Sequence, residues 1–428
     1  TAFYTLSLHD ALPILPAFGA AGPNVDAEAF TMSRRRQHAA HEIGHTLGLS
    51  HNYIASSQGR TSVMDYPFPV ITAGANGALD LRDAWAKGPG AWDTLSIRLG
   101  YTWYPDAASE KAGLAAIMKD GLARNVRFIN DTYAGAEGSN PAVTRWEEGA
   151  TAFEGIERAN KVRRILIDKF DERAIKPGEP LALLNMRFTH VYLHHRYSLE
   201  SLAKFVGGMD FTFALRGDGQ VPTRVLPAAD QRKALNMALD ALRPSELTVP
   251  ERVQALIPPP PPGFNADMTW IDGYGGTAFD AVNLAGGLAT EVIGYLLHRE
   301  RVARLVLFQA RDANALGLDE VLGTIVRRTW GAPVPSNSSE RAVQRATQRA
   351  VVDAMLDLAG DRAALPDVRA HTLMHLKQLD QRLAAAPGTD AAARAHVALA
   401  RRDIARFMSG DDQPALRPRY AVITLPWP

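Results

Sequence analysis

One stretch limits what this chain can fold into more than any other: His41-Glu42-Ile43-Gly44-His45-Thr46-Leu47-Gly48-Leu49-Ser50-His51. On a helix, His41 and His45 lie one turn apart on one face, so two imidazoles can point at a single metal ion with Glu42 beside them. Gly48 can take a backbone conformation closed to other residues, which stops the helix and turns the chain back to deliver His51 as a third ligand. Three histidines leave the fourth position of a tetrahedral zinc ion open to water, the arrangement of a catalytic rather than a structural site. The 428 residues contain no cysteine, so neither thiolate ligands nor disulfides are available.

The same four-residue spacing occurs twice more, at His190/His194 and at His371/His375. Neither pair has an acidic residue directly after its first histidine or a third histidine placed after a glycine. Both are read as packing or surface histidines, since a metal site needs a full ligand set.

The run from His41 to His51 resembles the metzincin signature, His-Glu-x-x-His-x-x-Gly-x-x-His, and metzincins are zinc endopeptidases. Ser62-Val63-Met64-Asp65-Tyr66 is similar to the Met-turn of that family, whose methionine, here Met64, lies beneath the zinc histidines. Tyr66 stands where some metzincins carry a tyrosine that reaches the metal. Asp93 to Tyr101 is similar to the helix that closes many metzincin catalytic domains. These features cover residues 30 to 101, about a sixth of the chain. With His51-Asn52 and Met64 to Pro67 added, the chain resembles large bacterial zinc-dependent metalloproteases with a Met-zincin domain.

The resemblance implies a Zn2+ cofactor, a peptide or protein substrate and a periplasmic or extracellular location. Zinc lowers the pKa of its bound water to about 7, and Glu42 is then the base that takes the water proton and returns it to the leaving amine. Tyr66 either hydrogen-bonds the oxyanion or is a packing residue of the turn. Gly48 and Met64 support the site. Pro67 to Ile71, by the same resemblance, walls the pocket for the side chain after the cleaved bond and favours an apolar residue there. Two other readings use the same residues: a zinc hydrolase of a non-peptide substrate, and a non-catalytic helical interaction protein stapled by a structural zinc. Glu42 argues against the second, because a structural site needs no base.

The fold expected is mainly α: a partial metzincin-like catalytic segment, zinc helix plus Met-turn, followed by a large all-helical region. One helix is expected from Asp26 to Leu47, with Asp26 as its cap and Arg34, Arg35 and Arg36 on its solvated face. Further helices are expected near 110 to 124, 188 to 206, 278 to 311, 318 to 329, 339 to 359, 366 to 385 and 388 to 408, where apolar residues recur at helical spacing. Strand signals are few. The catalytic segment is too short to form a core alone, so the helices after Tyr104 are expected to pack against it.

The boundaries expected are 1–14, 15–105 for the catalytic segment, 106–257 for a helical region, 258–265 for a proline-rich linker and 266–428 for a helical C-terminal region. Residues 5 to 14 read like a translated sequencing adapter and are left out of fold reasoning. A metzincin domain places a sheet before its zinc helix, whereas only about fifteen residues of plausible protein, Leu15 to Glu28, precede it here. The chain is therefore expected to be the C-terminal part of a longer protein, with weak peptidase activity on its own. The charges nearly cancel at +1 and no basic tract stands out, so nucleic acid is not an expected partner. No run reaches the roughly 20 apolar residues of a membrane span; the nearest, Ala278 to Leu297, is broken by Asp280, Asn283 and Glu291.

Overall fold

A computed structural model describes residues 26–146, 149–263, 273–417 and 419–422. The N-terminal stretch expected to be non-native lies outside the described residues, as does part of the proline-rich linker. The fold is mainly helical, and the chain divides into two compact units at Ser201/Leu202.

Unit one begins with α1 (Ala27–Thr46). A small antiparallel ribbon follows, β1 (Thr72–Ala73) on β2 (Leu79–Asp80), with Thr72 opposite Asp80. Next come α2 (Ala91–Tyr101), α3 (Ala107–Ala123), α4 (Ala152–Lys169) and α5 (Leu183–Tyr192). The division between the units falls inside α6 (Arg196–Ala203). Within unit one α3 packs on α2, α5 packs on α4, and the ribbon lies on α4, where Lys161 Nζ donates to the Ala73 carbonyl at 2.9 Å. A small core of Val63, Met64 and Trp92 joins α1 to α2, with Ala40, Leu49, Val126 and Phe128 closing around it. Trp92 stacks on Phe128 at 5.1 Å and 7°. Burying a residue such as Met64 contributes about 1.5–3 kcal/mol, so this cluster anchors the segments on either side of the histidine run. Within unit one, α3 and α4 thus pack on parts of the segment that carries the run, α3 on α2 and α4 on the ribbon.

Unit two opens with a second ribbon, β3 (Met209–Phe211) antiparallel to β4 (Thr223–Val225). It continues through α7 (Ala228–Asp240), two single turns, α8 (Pro244–Leu247) and α9 (Glu251–Gln254), and then α10 (Ala281–Leu296) and α11 (Arg299–Gln309). The last four helices are α12 (Leu318–Thr329), α13 (Ser338–Gly360), α14 (Pro366–Ala385) and α15 (Ala391–Ser409). α13 is the axis of this unit: α8, α10, α12, α14 and α15 all pack on it. No described helix is long and apolar enough to cross a membrane.

Three expectations need correction. The run 278 to 311 is two helices, because the chain turns at Leu297 and His298. Arg301, fully buried, uses that break: its Nε donates to the Tyr295 carbonyl at 2.7 Å and its Nη1 to the Ala203 carbonyl at 2.6 Å. The run 188 to 206 starts earlier, at Leu183, and is interrupted between Tyr192 and Arg196. Arg34 is not on a solvated face. It is buried, hydrogen-bonded to Gln37 and set 4.8 Å over the Trp85 ring, whereas Arg35 and Arg36 are exposed as expected.

Candidate metal centre

The helix that carries the first two histidines is set at both ends by its own sequence. Asp26 Oδ1 accepts the Ala29 N–H at 2.9 Å and satisfies one of the free donors of the first turn. At the other end Gly48 takes φ +82, the left-handed region that a side chain would oppose. Gly48 N–H reaches the His45 carbonyl at 3.0 Å and Leu49 N–H the Gly44 carbonyl at 3.0 Å. The reversal is tight enough for the Leu49 carbonyl to face back to the helix, where His45 Nδ1 donates to it at 2.9 Å.

His41, His45 and His51 converge. Their ligand atoms lie within 4.8 Å of one another, with His45 Nε2 3.1 Å from His41 Nε2 and 3.1 Å from His51 Nε2. The other ring nitrogens decide what these contacts are. His41 Nδ1 lies 2.8 Å from the Val63 carbonyl and His45 Nδ1 2.9 Å from the Leu49 carbonyl, and carbonyl oxygens can only accept. His51 Nδ1 lies 3.0 Å and 3.1 Å from the two oxygens of Asp131. Each Nδ1 therefore carries the proton, and three Nε2 lone pairs face one another with nothing to share. That arrangement is repulsive without a cation. Zinc–nitrogen bonds of about 2.0–2.1 Å place tetrahedral ligands about 3.3 Å apart, so the observed spacing fits a zinc ion with little movement. Burial pushes His41 down to about 3, which keeps it in the neutral form that coordinates.

Asp131 was not singled out from sequence. It lies 80 residues from its partner, on a single turn, Asp131–Tyr133. Asn52 brings the two together. Its N–H donates to the Met64 carbonyl at 2.9 Å, its Nδ2 to the Arg127 carbonyl at 3.0 Å, and its Oδ1 accepts the Ile129 N–H at 3.1 Å. Tyr53 N–H continues the pairing to the Ile129 carbonyl at 2.9 Å, and its hydroxyl donates to Asp131 Oδ1 at 3.1 Å. Burial alone would raise Asp131, but the hydrogen bonds from His51 and Tyr53 outweigh it and hold the carboxyl below its usual range. A carboxylate behind a ligand histidine orients the ring and raises its basicity. Asp131→Ala is accordingly expected to weaken zinc binding about 10–100-fold, measured by competition with a chromophoric chelator. Affinity equal to the parent's would show that His51 is oriented without it.

Below the histidines the chain forms a turn at Val63 and Met64. The Val63 carbonyl accepts from both His41 Nδ1 and Gln37 Nε2, the latter at 3.3 Å. Met64 is fully buried, and a Cβ on Gly44 would come within 2.2 Å of its Sδ, so the absence of a side chain at Gly44 makes room for the methionine. Asp93, at the start of α2, fixes the turn: Ser62 Oγ donates to its Oδ1 at 2.6 Å and Val63 N–H to its Oδ2 at 2.9 Å.

Tyr66 packs on two of the histidines, its ring 4.5 Å from His51 and 5.1 Å from His41. Trp146 stacks on the same ring at 4.9 Å and 18°, and Trp146 N–H donates to the Tyr66 carbonyl at 2.7 Å. Trp146 does this at φ +59, a costly conformation for a bulky residue and one found mostly where a local geometry has a use. Glu42 projects from α1 beside the ligands with half of its side chain exposed, and its Oε1 is 3.6 Å from His38 Nε2. Among the described residues no fourth histidine or carboxylate joins the three imidazoles. The other spaced pairs are packing residues: His190 and His194 are buried, and His375 Nε2 lies 2.8 Å from Asp319 Oδ1.

A protein family described as Met-zincin matches residues 24–337 of the chain. No curated protein and no solved structure matches it.

Proposed function

The chain belongs to the Met-zincin family, and on that premise we propose that it is a zinc-dependent endopeptidase, with His41, His45 and His51 as ligands and Glu42 as general base. The observation that carries the proposal is the convergence of three Nε2 atoms, His45 Nε2 3.1 Å from each of the other two and all three within 4.8 Å, each ring fixed by an acceptor on its Nδ1, with a carboxylate on the residue after His41. A closed, structural set would need a fourth protein ligand and would have no use for Glu42.

When bound, zinc supplies a Lewis acid that polarises a peptide carbonyl and brings the pKa of a water to about 7. Glu42, open to solvent, takes the proton from the attacking water at a carboxylate oxygen and delivers it to the leaving amine nitrogen. The Tyr66 hydroxyl donates to the carbonyl oxygen as negative charge develops there, a contribution that counts only as the transition state is approached. Burial, with the charges of Glu42 and Asp131, raises Tyr66 above its ordinary value and keeps the hydroxyl protonated. Trp146, stacked on the Tyr66 ring, limits its swing. Pro67 to Ile71 lies next in the chain and offers an apolar wall, with Phe68 edge-on to His194 at 5.1 Å, so the residue after the cleaved bond is proposed to be apolar.

The test is cleavage of a fluorogenic peptide library. Activity is expected to disappear on dialysis against a chelator and to return with one equivalent of zinc. Cleavage that survives complete metal removal would rule the proposal out, and hydrolysis of esters but never of peptides would favour the non-peptide reading.

A further inference from the structure

Unit two contains a cleft separate in kind from the metal centre. α12, α13, α14 and the start of α15 line a cavity of about 470 Å³, within the range of about 300–1,000 Å³ typical of small-molecule sites. Val326, Leu379, Leu383 and Val397 give it an apolar wall. Trp330 also lines it, lying flat on His396 at 5.0 Å and 11°. Neither Trp330 Nε1 nor His396 Nε2 has a hydrogen-bond partner among the described residues.

The charges in the cleft are unbalanced. Arg341, Arg345 and Arg382 line it against a single carboxylate, Asp390, whose Oδ1 is already taken by the Ala393 N–H at 2.8 Å. Arg341 is engaged in holding the carbonyls of Pro335 and Ser336. The side chains of Arg345 and Arg382 make no hydrogen bond or ion pair with any described residue, although Arg345 is close enough to Asp390 to lower its pKa. Arg349, one turn beyond Arg345 on α13, shows how this fold treats an arginine used for structure. Its Nη1 meets Asp403 at 2.7 Å and its Nε meets Asp353 at 2.9 Å. His396 reports the same excess of positive charge: burial first, then the guanidiniums of Arg345 and Arg349, push it down to about 4.

We propose that this cleft binds a small amphipathic carboxylate, its charge held by Arg345 and Arg382 and its aromatic or branched aliphatic body packed on Trp330, Leu379 and Leu383. Planar guanidiniums suit a carboxylate because they donate in a matching fork, and the apolar wall rewards a ligand that is more than an anion. Such a group can come from a free organic acid or from the C-terminus of a short peptide with an apolar last residue. The assignment stands whether or not the metal centre cleaves peptides.

Calorimetric titration of the zinc-loaded full chain tests it, with 3-phenylpropionate, the neutral 3-phenylpropan-1-ol, the tetrapeptide Ala-Ala-Ala-Phe and its C-terminal amide as probes. The acid is expected to saturate one site, with the alcohol at least about tenfold weaker. Arg345→Gln with Arg382→Gln should weaken the acid by a similar factor while zinc content stays unchanged, and the paired lysine replacements, which keep the charge but not the fork, should restore only part of the binding. Arg382 is exposed, so Arg382→Gln alone keeps the test open if the double variant fails to fold, and it should weaken binding several-fold. Tetrapeptide binding lost in its amide identifies a peptide terminus, and binding of the acid alone identifies a free organic acid. Equal binding of acid and alcohol, no saturable binding, or unchanged binding in the arginine variants, which would place the acid on the zinc, overturns the proposal.

Discussion

Glu42→Gln is expected to hold one zinc per chain as tightly as the parent and to lose about two to four orders of magnitude in peptide hydrolysis. The substitution keeps the size of the side chain and its place on α1, and it touches none of the Nδ1 contacts that orient His41, His45 and His51. What it removes is the carboxylate proposed to take a proton from water and give it to an amine. Zinc content by elemental analysis, set beside initial rates on the preferred peptide, separates that loss from loss of metal. A variant that cleaves as fast as its parent would end the assignment of Glu42 as base.

Acid is expected to destabilise unit one well above the pH of ordinary carboxylate titration. His190, His194 and His195 are all buried. Burial pushes His190 and His194 down to about 3 and His195 well below its ordinary value, and the guanidiniums of Arg187, Arg196, Arg163, Arg158 and Arg164 add to the effect. In the unfolded chain these imidazoles titrate near 6.5. Because the folded values are depressed, the unfolded state binds more protons between pH 6.5 and pH 3, and stability falls as pH drops through that window. One unit corresponds to 1.36 kcal/mol per group, so going from pH 6.5 to 5 costs roughly 2 kcal/mol per histidine. His190 and His194 acting independently set a ceiling of roughly 4 kcal/mol against a typical total of about 5–15, and His195 acts in the same direction. Denaturant melts at pH 7 and pH 5 on chelator-treated protein isolate this effect from protonation of the metal ligands, which also occurs in that range. Equal midpoints at the two pH values would show that the buried histidines are tolerated in charged form.

The sequence carries the local part of the site and not its long-range support. The cap at Asp26, the reversal at Gly48 and the spacing of the three histidines are all encoded within 26 residues, and the structure brings the imidazoles together as that spacing requires. The helices at 318–329 and 366–385 were legible for a similar reason, since each buries one apolar stripe, whereas 338–360, the axis of its unit, is buried on most of its sides. Asp131, Asn52 and Trp146 were not, because their roles depend on the pairing of residues 52–53 with 127–129 and on the return of the chain at 146 to Tyr66. No periodicity connects residues so far apart. Arg34 was misread for a related reason. In a run of three arginines the charge pattern points outward, and only the tertiary position of Trp85 and Gln37 turns one of them in. Asp93 was seen only as the start of a helix, although its carboxylate ties that helix to the turn beneath the histidines.

The central claim is that three imidazoles alone, each presenting Nε2, form the protein's share of a zinc site. Zinc K-edge X-ray absorption on the full chain loaded with one equivalent tests it most directly. The account predicts stoichiometric zinc with three imidazole nitrogens at about 2.0–2.1 Å and a remaining shell of light atoms from solvent. A fourth imidazole, only two imidazoles, or no stoichiometric zinc would contradict it.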